Sequence, residues 1–159
     1  MDFHIEKVAV GEPLWQLVCE HFPRSVKWLH DPNDDGEYHF FLAINPQGTF
    51  LGGVVVDIGP MSFGPLAGRI GGFLEDIEVA EPFRRRGIGT ALARAALQFA
   101  WQREARHVRW TVAYDNPTGL AFYDSLGVAF IPEEDPQRPD PDDRCYTVVA
   151  LNPQEQRYA

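Results

Sequence analysis

The segment of residues 77–100, IEVAEPFRRRGIGTALARAALQFA, constrains the fold most strongly, because a β-branched run turns directly into an amphipathic stretch. Apolar residues recur there at spacings of three and four, which predicts a helix that lies on a sheet. The helix is predicted to begin near Gly87, directly after three consecutive arginines. The apolar positions are Ile88, Ala91, Leu92, Ala95, Ala96, Phe99 and Ala100.

The start of this helix has the properties of an anion-binding site. Gly87 and Gly89 allow the backbone to approach a ligand closely, and the first N–H groups of a helix have no intrahelical acceptors. The helix dipole adds about half a positive charge, and Arg84, Arg85 and Arg86 add guanidinium groups that grip phosphates. A diphosphate ligand satisfies all of these groups, and a basic turn that caps a helix is the alternative. No GxxxxGK[ST] motif occurs and GIGTAL lacks the third glycine of GxGxxG, so neither a Walker nor a Rossmann site is indicated.

The pattern Arg84, Gly87, Gly89 matches the acyl-CoA signature [QR]-x-x-G-x-[GA], and in this the chain resembles the GNAT superfamily of N-acetyltransferases. FLEDIEV precedes the signature as a predicted strand, and WTVAYDNPTGLAFYDSLGV follows it as strand, turn and helix, with Asn116 and Tyr123 spaced as in the family's later motif. The LED start and the VAYDNPTGLAFY segment are most similar to the spermidine/spermine (diamine) and thialysine acetyltransferase branch. The resemblance covers roughly residues 71–130.

The remaining elements can be placed from turn signals and periodicity. Asn45-Pro46-Gln47-Gly48 separates YHFFLAI from TFLGGVVVDIG, which predicts an antiparallel hairpin. Asn116 and Pro117 suit the start of a second helix, and Gly127 suits its C′ position. Further predictions are a strand at 2–8, a helical region from Trp15 to Trp28, an acidic loop at 31–37, a loop at 59–68, strands at 70–80 and 107–114, and two final strands, VAFI and CYTVVAL, joined by the Pro- and acid-rich segment 132–144.

This order of elements is α+β, and the resemblance implies a mixed, mostly antiparallel central sheet with a V-shaped splay, flanked by helices. The 159 residues, 45% of them apolar, suffice for one core, so a single domain over 1–159 is predicted. No apolar run of 18 residues and no signal-peptide pattern occurs, which favours a soluble, cytoplasmic protein with no membrane partner.

Composition also narrows the classes of ligand. Cys19 and Cys145 lie outside any metal-binding or redox spacing, and the five histidines show no ligand spacing, so they are interpreted as core or surface residues and no metal is predicted. A net charge of −9 argues against nucleic-acid binding. The same negative charge either attracts a cationic amine or belongs to a solvated surface that favours solubility.

The resemblance implies an acetyl-CoA-dependent N-acetyltransferase that moves an acetyl group from the thioester to a primary amine by direct attack. An amine with a pKa of about 10.4 must become neutral, at a cost of about 4.6 kcal/mol at pH 7. Glu75 is implied as the base and Tyr123 as the acid that protonates the thiolate. Strict strand alternation places Glu75 on one face and Asp76 and Glu78 on the other, so alternation alone does not choose the base; a β-bulge expected from the family would shift this pattern. The implied cofactor-binding residues are Ile77, Glu78, Val79, Arg84, Arg85, Arg86, Gly87, Ile88, Gly89, Thr90 and Asn116.

The alternative function is an acyl-CoA-binding sensor or partner domain without turnover. Retention of both Glu75 and Tyr123 argues against it. The acceptor amine remains open among polyamines, amino acids, antibiotics and peptides, as does an acyl group larger than acetyl. Trp15, Trp28, Tyr38 and Phe63 are candidates for cation–π contact with an amine, but core or surface packing is the favoured role for each. Dimerisation is common in the family that the chain resembles, and no residue here defines an interface.

Overall fold

A seven-stranded sheet forms the centre of the computed structural model, which describes residues 1–61, 67–132 and 145–154. The strand order is β1-β2-β3-β4-β5-β7-β6, and the mixed, mostly antiparallel α+β fold is confirmed. In chain order the elements are β1 (His4–Val8), α1 (Trp15–His21), α2 (Pro23–Leu29), β2 (Tyr38–Ile44), β3 (Phe50–Pro60), β4 (Ile70–Val79), a 3-10 turn (Glu81–Phe83), α3 (Ile88–Gln102), β5 (His107–Ala113), α4 (Pro117–Asp124), β6 (Ala129–Pro132) and β7 (Cys145–Leu151).

Two predicted segments fall partly outside the described residues. The loop predicted at 59–68 includes residues 62–66, among them Phe63, and the Pro- and acid-rich segment includes residues 133–144. In the described part of the chain, no helix is both long and apolar enough to cross a membrane.

The sheet opens between β4 and β5. These two parallel strands pair only at Gly72 with Val108 and at Phe73 with Arg109. On its other side, by contrast, β4 pairs with β3 from Ile70 to Val79, interrupted at Glu75 alone. Beyond Phe73 the two parallel strands therefore separate, and this separation is the V-shaped splay that the resemblance implied.

Two hydrophobic clusters cover the two faces of the sheet. Val54 and Val55 are adjacent in β3 and fully buried, and they belong to different clusters because successive side chains of a strand point to opposite faces. Val54 packs in the cluster that contains Leu92 of α3, whereas Val55 packs in the cluster that contains Val18 of α1. We call these the α3 face and the α1/α2 face.

The helical region predicted from Trp15 to Trp28 is two short helices that meet at Phe22. A residue that precedes proline avoids the helical conformation, and Phe22, before Pro23, has φ −127° and ψ 52°. Its ring packs against Gly53 so closely that a Cβ at Gly53 would lie 2.6 Å from ring atom Cε2. Glycine at this position therefore lets the junction of α1 and α2 sit directly on the sheet.

His39 of β2 gives the fold a pH dependence. Its Nε2 is buried without a hydrogen-bond partner among the described residues, and its ring lies 4.6 Å from that of Phe99 on α3. Burial, and then the charges of Lys7 and Arg103, lower the pKa of His39 from 6.5 to about 4. As the pH falls, His39 therefore binds a proton in the unfolded chain before it does so in the folded chain. The free energy of unfolding falls as the pH drops from about 6.5 to about 4.

Between pH 7 and pH 5 we expect the free energy of unfolding to fall by about 2 kcal/mol more in the wild type than in His39→Gln, because glutamine does not titrate. Urea unfolding of the wild type and the variant at both values measures this difference. Equal losses in the two proteins would show that His39 is not the group responsible.

Candidate active site

A β-bulge interrupts β4 at Glu75. Val55 of β3 pairs with Asp76 and the next residue, Val56, pairs with Leu74, so Glu75 is the extra residue. The bulge expected in this strand is therefore present. Since cross-strand partners point to the same face, Asp76 lies on the α1/α2 face with Val55.

The bulge corrects the face predicted for Glu75. Strict alternation had grouped Glu75 with Ile77 and opposite Asp76, but an unpaired extra residue breaks the alternation at that point. Phe73 pairs with Asp57 on the α1/α2 face. The next residue, Leu74, points to the α3 face, so Glu75 after it points back to the α1/α2 face. Glu75 and Asp76 therefore share the α1/α2 face.

The surroundings of Glu75 favour its protonated form. Burial, and then repulsion from Asp57 and Asp34, raise the pKa of the Glu75 carboxyl from 4.5 to about 7, and Arg24 opposes this shift. These two neighbours are held in place: the Tyr38 hydroxyl donates to Asp34 Oδ1 at 2.9 Å, and the Glu37 N–H donates to Asp57 Oδ1 at 2.8 Å. A carboxyl with a pKa of about 7 can accept and release a proton at neutral pH.

A groove of about 1370 Å³ begins where β4 leaves the splay and runs along the start of α3 to α4. This exceeds the usual volume of a drug-sized pocket, about 300–1,000 Å³, and therefore suits a long ligand. Of the residues that the resemblance implied as catalytic or cofactor-binding, all but Glu75 and Arg86 line it. They are Ile77, Glu78, Val79, Arg84, Arg85, Gly87, Ile88, Gly89, Thr90, Asn116 and Tyr123.

The start of α3 forms the basic end of the groove. Gly87 is the N-cap with φ 82°, a left-handed conformation that suits glycine, and no side chain caps this helix end among the described residues. Arg85 is also left-handed, with φ 61°. Arg84 donates from Nε to the Val79 carbonyl at 3.0 Å, which fixes the guanidinium and leaves its terminal nitrogens for a ligand.

Gly89 keeps this end of the groove open. A Cβ there would lie 3.5 Å from the Phe122 ring of α4 and 3.5 Å from Val79 Cγ2 of β4. A side chain would therefore fill the gap between α3, α4 and β4. An uncapped helix end, two lining arginines and a glycine floor fit a diphosphate group.

The opposite wall is α4, and its start follows the sequence prediction. Asn116 is the N-cap and its Oδ1 accepts from the Gly119 N–H at 3.0 Å, with Pro117 as the first helical residue. The regular helix ends at Asp124, and Gly127 follows in a left-handed turn with φ 70°.

Tyr123 reaches the groove from the buried side of α4. It is 9% exposed, and its ring packs 5.3 Å from that of Trp110. Burial, and to a lesser degree the charge of Asp76, raise the pKa of the Tyr123 phenol above its usual value of 10. The phenol therefore keeps its proton at neutral pH and can serve as a hydrogen-bond donor or an acid.

His21 contacts a residue of the groove, which sequence reasoning missed because it had grouped His21 with core or surface histidines. Its Nδ1 lies 2.9 Å from Oε1 of Glu78, a residue that lines the groove. The two residues are 57 positions apart in the sequence. No local motif signals such a contact, although the position of His21 at the end of a helix, just before Phe22-Pro23, marks a break in the chain.

Comparison with known proteins agrees with this geometry. Residues 6–128 match the model of the acetyltransferase (GNAT) family. An uncharacterized N-acetyltransferase of Methanocaldococcus jannaschii is 34% identical over 101 residues, which are 64% of this chain and 42% of that protein. Streptothricin acetyltransferase of Streptomyces lavendulae is 33% identical over 97 residues, 61% of this chain and 48% of that protein. The matches thus span less than half the length of these relatives.

A solved structure gives the same result. The crystal structure of nourseothricin acetyltransferase has a TM-score of 0.58 and 27% sequence identity to this chain, covering 76% of this chain and 69% of that one. Because the family model spans more than half of the sequence, the chain belongs to the GNAT acetyltransferase family.

Proposed function

We propose that this protein is an acetyl-CoA-dependent N-acetyltransferase that transfers the acetyl group to a primary amine of a small molecule. The observation that carries the proposal is the single groove shared by the basic start of α3 and by Tyr123 of α4. A diphosphate at one end and an acid toward the other are what acyl transfer from acetyl-CoA requires. Since acetyl-CoA is the donor, a cytoplasmic location is part of the proposal.

The binding roles follow the groove from its basic end. Arg84, Arg85 and the N–H groups at the start of α3 hold the pyrophosphate. The β4 backbone from Ile77 to Val79 faces the open splay, where it pairs with the pantetheine arm. Asn116 holds the start of α4 against the same arm.

The chemical roles lie at the bulge and on α4. Glu75 accepts a proton from the amine so that its nitrogen can attack the thioester, and a backbone N–H at the bulge donates to the developing oxyanion. Tyr123 protonates the thiolate as it leaves. The Leu-Glu-Asp start of the motif, similar to the diamine and thialysine branch, supports Glu75 as the base over Asp76 and Glu78.

The acceptor is proposed to be a cationic small molecule. The relatives named for streptothricin and nourseothricin support a small-molecule amine, and carboxyl groups gather on the α1/α2 face around Glu75. The α3 face is filled by its hydrophobic cluster near Leu74 and Tyr123, which leaves the α1/α2 face as the approach for the amine.

Acetyl-CoA binding tests the basic end of the groove. We expect the double variant Arg84→Ala/Arg85→Ala to raise the Kd for acetyl-CoA about 100-fold or more, because each lost charged hydrogen bond is worth about 1.5–3 kcal/mol. Arg86→Ala is the matched control, since Arg86 is exposed and does not line the groove. Isothermal calorimetry measures both, and equal affinity in the double variant and the wild type would overturn this binding mode.

A further inference from the structure

His21 is held in one orientation beside the groove. Its Nδ1 lies 2.9 Å from Glu78 Oε1, and its ring stacks on Phe50 with centroids 3.6 Å apart and an interplanar angle of 11°. The close packing of Phe22 on Gly53 fixes the end of α1 at this place on the sheet. The imidazole is therefore positioned by a hydrogen bond, a ring stack and the adjacent backbone.

This orientation determines which nitrogen of His21 is free. An ionised carboxylate only accepts hydrogen bonds, so Nδ1 of His21 donates to Glu78. In the neutral ring Nε2 then carries the lone pair, and it has no hydrogen-bond partner among the described residues. The side chains of His21 and Glu78 are 30% and 38% exposed, so both are partly open to solvent.

An ammonium group carries three protons and the amide product keeps one, so two protons leave the nitrogen. The first leaves before the C–N bond forms, and the second leaves as the C–S bond breaks. The thiolate takes a proton from Tyr123, so one of the two protons returns through solvent to Tyr123 and the other is released. Glu75 holds one proton at a time, so a second acceptor beside the amine takes the other proton without waiting for Glu75 to release the first.

We propose that His21, oriented by Glu78, accepts the second of these protons at Nε2 and passes it to solvent. Glu75 and Glu78 both lie on the α1/α2 face, three residues apart in β4, which is about 10 Å along a strand. An amine nitrogen bound between these two glutamates can pass a proton to Glu75 or to His21, directly or through one water. This inference rests on the proposed function, since it assigns a residue to the same reaction.

Variants of His21 separate proton transfer from structure. Asparagine keeps a nitrogen donor near the Nδ1 position for the bond to Glu78 but has nothing at Nε2, whereas phenylalanine keeps the ring stack on Phe50. We expect both variants to lower kcat about tenfold or more, with the Kd for acetyl-CoA within about twofold of wild type. His30→Asn, at an exposed histidine that follows α2, is the control and should leave kcat unchanged.

Chemical rescue supplies the decisive result. Imidazole added to His21→Ala should restore part of the lost turnover, because only a missing proton acceptor can be replaced from solution. A kcat for His21→Asn within about twofold of wild type, or no rescue of His21→Ala, overturns the inference while the proposed function stands. Failure of the wild type to acetylate any of nourseothricin, spermidine, lysine or a lysine peptide overturns the proposed function and this inference with it.

Discussion

Tyr123→Phe is expected to lower kcat about 100-fold while leaving the Kd for acetyl-CoA within about twofold of wild type. The variant removes only the hydroxyl, and the ring keeps its packing against Trp110 at 5.3 Å. Because the pKa of this phenol lies above 10, the proton is available throughout the neutral range, and the loss should not depend on pH between 6 and 9. Thiol release gives kcat, and calorimetry gives the Kd.

Phe122→Leu is the neighbouring control for this effect. Phe122 also lines the groove but carries no proton, so its replacement should change the Michaelis constant for acetyl-CoA more than kcat. If Tyr123→Phe keeps the wild-type kcat, Tyr123 is not the acid and the thiolate leaves without a proton from the protein.

Glu75→Gln is expected to lower kcat/KM for the amine about 100-fold at pH 8 and to change its pH profile. A base works in its ionised form, and the pKa of Glu75 is about 7, so the wild-type kcat/KM should rise as the pH increases through about 7. Glutamine cannot titrate, and this rise should disappear in the variant. Initial rates between pH 5.5 and 9 measure both profiles.

Stability provides an independent check on the same residue. The folded pKa of Glu75 is above its ordinary value of 4.5, so its contribution to stability is present below that value and is lost as the pH rises through about 7. Glu75→Gln should therefore raise the Tm relative to wild type at pH 8 and change it little at pH 4. If Glu75→Gln is less stable than wild type at pH 8, burial does not raise the pKa of Glu75. Asp76→Asn is the control at the adjacent carboxyl.

The elements that could be predicted from the sequence are those with a local cause. The α3 stripe is buried at Ile88, Leu92, Ala96 and Ala100, and the Asn116 side chain caps α4 as its position before proline indicated. The hairpin around residues 45–48 joins β2 and β3 because turn residues separate two runs of strand-forming residues. In each case a few neighbouring residues determine the conformation.

The features that escaped prediction depend on distant parts of the chain. The alternation of side chains along a strand does not locate a bulge. The side of the sheet that Glu75 faces is therefore known only from the pairing of its neighbours with Val55 and Val56. The bond between His21 and Glu78 requires the packing of α1 on the sheet, and the burial of His39 requires α3. A single sequence does not encode these contacts at any fixed spacing.

Amine-dependent release of thiol from acetyl-CoA, with mass spectrometry of the amine product, shows directly whether this protein is an N-acetyltransferase. The amines to use are nourseothricin, spermidine, lysine and a lysine peptide. We expect at least one of them to stimulate thiol release and to gain one acetyl group on a primary amine, and we expect Tyr123→Phe to lose this activity. Tight acetyl-CoA binding with no acetylated product from any of these amines would contradict it and support an acyl-CoA-binding module without turnover.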